Sequence, residues 1–332
     1  MVMKYTGQIY DLPKSFREEI STIRPYKTLT AIAMIWVSIA TIVWLSRSFL
    51  PSLSLSNPPP LWFWAIYPLL GFLIAGRQGA LLQIVHEGSH NLVAENKWLN
   101  DLVADWFAAL PVGLTLSGYT AGHMKHHAHT NTIDDLPTDL EKHAVTNLRD
   151  KRLYYKFLRD VLGVTALSSF FGHNTRAGRR SKTSGEQKME KVKRMAQLAL
   201  VQAVLFLVVF KLRPFDYLLF WALPLVSFNM VLLRVRGIAE HGSPRQLNVN
   251  IEAADQGNRY TRSVVGPRGG VVVLVERILI GSLSCNYHHE HHLVPNVPFY
   301  NLSKIHDRIG KSVAESQPHV YVRSYLGALF VR

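Results

Sequence analysis

Cysteine is almost absent from this 332-residue chain: one residue, Cys285, excludes both a disulfide framework and a zinc site built on thiolates. Charge is also scarce, at 18% of residues, and unbalanced, with 37 Lys and Arg against 23 Asp and Glu for a net +14. So low a charge content beside 48% hydrophobic residues excludes a disordered chain or a charged solenoid. No cleavable signal pattern precedes the first apolar block, and no internal repeat is found beyond two apolar helical pairs. Two things are abundant instead: long apolar runs, and fifteen histidines gathered mostly into three short clusters.

Four apolar blocks approach the length of a bilayer crossing: 28–50, 61–85, 195–212 and 215–235. Residues 51–60, PSLSLSNPPP, turn the chain between the first two, and Arg213-Pro214 between the last two. Buried core helices of a soluble protein are the competing explanation, but four paired blocks of this length fit membrane spans better. The loop 51–60 has no Lys or Arg, whereas the N-terminal segment and 141–194 are rich in both, with RAGRR and KMEKVKR. The positive-inside rule therefore puts both termini and the central loop in the cytoplasm. Beside such spans the basic loop reads as a topology signal and a contact for anionic lipids, with no nucleic acid as partner. The expected architecture is an all-α integral membrane protein of four transmembrane helices in two hairpins. A cytoplasmic helical cap, from 86–194 and 236–332, carries the site. Segments 99–118 and 271–284 are apolar but short and are expected as amphipathic helices at the interface. Residues 245–270 read as a polar loop with short extended pieces.

The histidine clusters are His86-Glu-Gly-Ser-His90, His123-Met-Lys-His126-His127, and His288-His289-Glu-His291-His292. On a helix, positions i, i+3 and i+4 share a face, so each cluster can aim its imidazoles at one point. Neutral imidazole is the commonest protein ligand for first-row metals, and a merely histidine-rich surface gives no reason for the shared spacing. Depth supplies a second test. His86 lies 25 residues after Leu61 and His241 lies 26 after Phe215, about 38 and 39 Å along a helix. Both thus project roughly 8 Å beyond a hydrocarbon core about 30 Å thick. His241 joins the candidates on this ground, although a lone histidine is by default a cap or surface group. The candidate metal ligands are then His86, His90, His123, His126, His127, His241, His288, His291 and His292. Nine imidazoles are too many for one ion and suit two.

Glu87, Glu240 and Glu290, each beside a candidate ligand, either accept the outward N–H of an imidazole or are solvated; Asp134, Asp135 and Asp139 are similar. His129 and His289 fall off the shared register, and His143, His173, His306 and His319 read as surface residues. Residues 86–90 also satisfy the HExxH pattern of zinc hydrolases, but a site of that kind needs one further ligand and would leave the other clusters idle. A metal transporter would place its ionisable groups at mid-membrane.

HEGSH, HMKHH and HHEHH, separated by membrane hairpins, resemble the three histidine boxes of the membrane fatty acid desaturase superfamily. The stretches LPVGLTLSGYTAGHMKHHAHTNTIDD and NYHHEHHLVPNVPFYNLSKIH carry the resemblance most specifically, and it extends over nearly the whole chain as one domain, 1–332. It implies a non-haem centre of two Fe ions that uses O2 and two electrons to oxidise an unactivated C–H bond in a lipid acyl chain. It also implies a partition: His86, His90, His123, His127 and His291 for one iron, and His126, His241, His288 and His292 for the other. The third box begins with His288 rather than glutamine, unlike front-end desaturases. There is no HPGG haem motif, so electrons must come from a separate donor such as ferredoxin or cytochrome b5. Three spacers in the first box favour the branch acting on acyl lipids. A hydroxylase or ketolase acting on a lipid, carotenoid or small apolar molecule remains the alternative.

Overall fold

The computed structural model describes residues 12–50, 54, 56–130, 135, 148–169, 185–211, 213–241, 261–266, 270–316 and 320–330. Most of these are helical. A short helix, α1 (Lys14–Ser21), precedes α2 (Pro25–Ser48), which begins on a proline whose fixed φ suits the first helical position. Three prolines, 58–60, exclude helix before α3 (Leu61–Ser89). Then come α4 (Lys97–Ala104), α5 (Leu116–His129), α6 (Lys151–Val161) and α7 (Gly185–Val204). The long α8 (Pro214–His241) mixes α and π turns, the latter at Leu218–Ala222 and Pro224–Phe228. Three shorter helices follow: α9 (Val271–Leu279), α10 (His288–Leu293) and α11 (Leu302–Ser316).

Four helices among the described residues are long and apolar enough to cross a membrane, with their apolar windows in α2, in α3, at Val192–Val209 and in α8. Their packing is that of a bilayer bundle. Inside, Ile35, Ile39, Phe63, Ile74, Phe220 and Trp221 form one buried cluster, and α3 packs on both α2 and α8. Outside, Met34, Val37 and Trp44 of α2 and Leu61 and Leu69 of α3 stand exposed, as expected of side chains that face lipid. At one end of the bundle Arg47 pairs with Asp216 at 2.7 Å, tying the end of α2 to the start of α8. Gln202 of α7 donates to the carbonyls of Leu110 and Pro111, which fastens the third span to the chain leaving α4.

Several local expectations are corrected. The segment 99–118 is not one interfacial helix. α4 passes into a π turn at Asp105–Ala109, the chain turns at Pro111 and Gly113 (φ +80°), and α5 starts afresh behind a Thr115 cap. Proline and a left-handed glycine at those two positions are what stop it. Segment 271–284 likewise is helical as α9 only to Leu279, and Leu283 and Ser284 beyond it both take positive φ. The chain is also not wholly α: Ser263–Val264 pairs in parallel with Tyr321–Val322, the extended piece expected within 245–270, most of which lies outside the described residues, as does RAGRR.

A buried ion pair fixes α6 against α8: the Arg234 guanidinium donates to both oxygens of Asp160, whose side chain has no exposure. Replacing Asp160 by Ala strands that guanidinium and is expected to cost about 3–5 kcal/mol. Thermal unfolding in detergent should show a markedly lower midpoint for this variant, and a midpoint near that of the parent for the paired Asp160→Leu, Arg234→Leu change. An unchanged midpoint in the single variant would show that the pair holds nothing.

Candidate metal centre

The three clusters and His241 sit where separate elements end together. His86 occupies the last turn of α3, His90 caps it, and His241 is the final residue of α8. Gly88, between the histidines of the first box, lets α4 approach: a Cβ there would lie 2.5 Å from that of Ala104. α5 brings His123, His126 and His127 on one face. Its start is secured by Asp105, which accepts from the Leu116 N–H at 2.6 Å, and by the Thr115 hydroxyl, which accepts from Gly118. α10 brings His288, His291 and His292, all buried.

These nine imidazoles fall into two groups. His86, His90, His123, His127 and His291 form one, and His126, His241, His288 and His292 the other; within each, the candidate ligand atoms lie within 4.8 Å of one another. This is the partition that the resemblance implied. His129 and His289 belong to neither group, and His289 turns its Nδ1 to the Thr261 hydroxyl at 2.9 Å. His143, His173 and His319 lie outside the described residues, with Asp134 and Asp139.

The donor set fits metal ions. Ring nitrogens face one another at short range: His90 Nε2 to His123 Nε2 at 2.9 Å, His123 Nε2 to His127 Nε2 at 3.1 Å, His127 Nε2 to His291 Nε2 at 3.1 Å, and His241 Nε2 to His288 Nε2 at 2.8 Å. Two nitrogens held about 2.1 Å from a shared ion, at right angles, are about 3.0 Å apart. His86 Nε2, His291 Nδ1 and both nitrogens of His292 are buried with no hydrogen-bond partner among the described residues. Buried polar atoms rarely remain so, and an ion at each group would use several of them. Burial keeps the rings neutral, as ligands must be. It depresses His90 to about 4. Burial first, then the neighbouring rings, depresses His123, and burial with His90 and His126 takes His127 to about 2.

A second layer orients the rings. His126 Nδ1 lies 3.0 Å from the carboxylate of buried Asp135, which accepts its hydrogen bond. Glu240 lies 3.5 Å from His288 Nδ1 and accepts from Arg236 and Tyr325. Glu87 does otherwise: one carboxylate oxygen accepts from the Phe299 N–H at 2.9 Å, and the other lies 3.7 Å from His86 Nδ1, beyond hydrogen-bond reach. Glu290 also turns away, accepting from the Ser263 hydroxyl, from Tyr321 at 3.0 Å and from His306 Nδ1 at 2.6 Å. His306 is therefore not the surface residue expected from sequence but one end of a clamp on α10. Two partners were missed. Gln83 places its amide nitrogen 3.1 Å from His86 Nδ1 and accepts from Arg236 through its oxygen at 3.1 Å. Gln83 is three residues before His86 and Arg236 four before Glu240, so helical spacing alone could have nominated both.

The depressed rings carry a sign for stability. In metal-free protein the unfolded histidines titrate near 6.5, whereas these stay neutral when folded, so below about pH 6.5 the unfolded state binds the extra protons. Stability present above that pH is lost as pH falls toward the folded values. Thermal unfolding of chelated protein should show a lower midpoint at about pH 5.5 than at about pH 7.5. Equal midpoints would mean that the rings are hydrated and not confined.

Residues 59–324 match the fatty acid desaturase family. The chain is also similar to the dihydrorhizobitoxine desaturase of Bradyrhizobium elkanii, with 25% identity over 285 residues, covering 81% of this chain and 74% of that protein. Boxes, membrane-length helices and this match over most of the chain agree: the protein belongs to the fatty acid desaturase family.

Proposed function

We propose that the chain is a membrane-bound, O2-dependent desaturase that introduces a C=C bond into a lipid acyl chain at a centre of two Fe ions on the cytoplasmic side. The observation that carries the reading is the meeting of nine imidazoles in two groups at the ends of two helices long enough to cross a bilayer. No acid or base side chain can take hydrogen from a methylene carbon; an iron pair, given O2 and electrons, supplies an oxidant that can. The balance is –CH2–CH2– with O2, two electrons and two protons going to –CH=CH– and two waters.

The residues supply the rest. The histidines would hold the metals through neutral nitrogens. Asp135 fixes the His126 ring, and Gln83, held by Arg236, sits against the outer nitrogen of His86. The second group is buried and the first partly so, which limits the access of bulk water to the site. The acyl substrate reaches the site from the bilayer. Electrons come from a separate donor, ferredoxin or cytochrome b5. The relative's name describes a desaturation, which favours loss of a second hydrogen over insertion of oxygen.

Expression in a host with a matched reductase should give a new unsaturated lipid by chromatography, and purified protein should hold about two irons per chain. His126→Ala should lose the product and about half of the iron. One zinc and no iron would point to a hydrolase. Unchanged lipids from protein with its iron bound would overturn the reaction, and oxygen-18 in the product would assign it to a hydroxylase.

A further inference from the structure

α6 packs along α8, against both Pro224–Phe228 and Asn229–His241. Near its start, Leu153 shares a buried cluster with Val235, Ile238 and Ala239. Asp160 then takes the Arg234 guanidinium, and at Gly163 the chain meets α8 again: a Cβ there would lie 3.4 Å from Val226 Cγ2. Leu153 thus sits by the histidine end of α8 and Gly163 by its middle, so the two helices run antiparallel. Gly163 takes φ +72°, which ends α6, and a second helical stretch follows over 164–169. Depth follows from α8. Val226 lies fifteen residues before His241, about 22 Å along the helix, and the hydrocarbon edge falls about 8 Å before His241. Gly163 therefore reaches about 14 Å below that edge, close to the middle of a core about 30 Å thick.

The side of α6 turned away from α8 is apolar and open. Tyr154, Leu158, Val161 and Leu162 stand at i, i+4, i+7 and i+8, on one face, and are 57, 54, 54 and 64% exposed. Leu167 is 53% exposed beyond the turn. Charge is graded along the same axis. Lys151 and Arg152 are exposed in the first turn, Lys156 stands half-buried on the flank, and no charged residue lies between Val161 and Ser169. Asp160 is spent in its buried ion pair. Arg159 is the deepest cation of α6 outside that pair. Its guanidinium lies 6.0 Å from the centre of the Tyr155 ring, one turn back toward the start of the helix, as a long cationic side chain does when it leaves hydrocarbon for the head groups.

We propose that α6 and the stretch after it are sunk in the bilayer leaflet on the side of the metal centre, as a half-span wedge with Tyr154, Leu158, Val161, Leu162 and Leu167 against acyl chains. Depth selects the occupant: a soluble partner does not reach a surface near the middle of a bilayer, whereas lipid is already there. Like the proposed function, this placement rests on α8 as a bilayer crossing. It goes further, because the sequence alone assigns 151–169 to a cap outside the membrane.

The test reconstitutes the full chain in nanodiscs of phosphatidylcholine carrying a diazirine at one acyl position, either near the carbonyl or near the chain end. After irradiation, mass spectrometry of the digest locates the adducts. Residues 154–167 should carry them as the outer face of α2 does around exposed Met34 and Val37. The main site should shift from Tyr154 toward Leu162 and Leu167 as the diazirine moves down the chain. A water-soluble carbene precursor should leave 154–167 unmodified. Adducts on α2 with none on 154–167 would overturn the wedge and leave the membrane-bound desaturase standing. Modification of 154–167 by the soluble reagent instead would do the same. So would modification by neither reagent, which would put a second copy of this chain against the face. Adducts missing from α2 as well would overturn both the wedge and the bilayer crossing on which it rests.

Discussion

Nine imidazoles crowded together out of water face a simple constraint: they cannot all be charged, and their nitrogens cannot all find hydrogens. Burial removes the charge, as the depressed titration of His90, His123 and His127 expresses. Neutral rings then confront one another, nitrogen to nitrogen, at 2.8 to 3.1 Å, and one hydrogen bond can satisfy only one such contact at a time. Ions at the two foci would resolve the conflict, since each nitrogen could give its lone pair to a shared centre. Neighbouring side chains keep several of those rings from turning aside. Asp135 grips His126, the Gln83 amide abuts His86, and Glu290 binds α10 to Ser263, Tyr321 and His306.

The bundle answers the same constraint at longer range. α3 and α8 each deliver a histidine at their ends, so an error in the length or tilt of either helix would separate the two groups from their partners on α5 and α10. Fixed points are accordingly placed along them. Arg47 and Asp216 lock one end of the bundle, Arg234 and Asp160 hold α8 to α6, and the close passage of α9 over Gly76 sets the base of the bend that leads to α10. One carboxylate that sequence reading offered to the histidines serves this scaffolding instead: Glu87 accepts from the Phe299 N–H, much as Glu276 secures Tyr325 and Leu326.

What could be read from sequence depended on whether the signal was periodic. Apolar runs and helical histidine spacing are local: the runs pick out four helices long enough to cross a membrane, and the spacing nominates eight of the nine rings that the fold gathers. His241, which belongs to no cluster, is nominated from rise per residue alone, and it lies with His126, His288 and His292. Breaks in helices were harder, because Pro111 with Gly113 and the left-handed pair Leu283 and Ser284 act through single dihedral angles that leave little trace in hydropathy. Pairings across great separations in sequence were hardest. Nothing near Glu290 announces His306 sixteen residues on, or Ser263 before it, and nothing in the sequence singles out Asp135 as the partner of His126.

Cys285 closes the account in a practical way. The lone thiol is buried, bonded to the Ile280 carbonyl at 3.3 Å and set against Tyr325. Reagents that attack exposed thiolates therefore pass over it. The native chain is then already a silent background for site-directed spin or fluorescent labels: a cysteine placed on the outer face of α2 or α11 would be the sole reactive handle, and distances within the lipid-embedded protein could be read without first removing a natural residue.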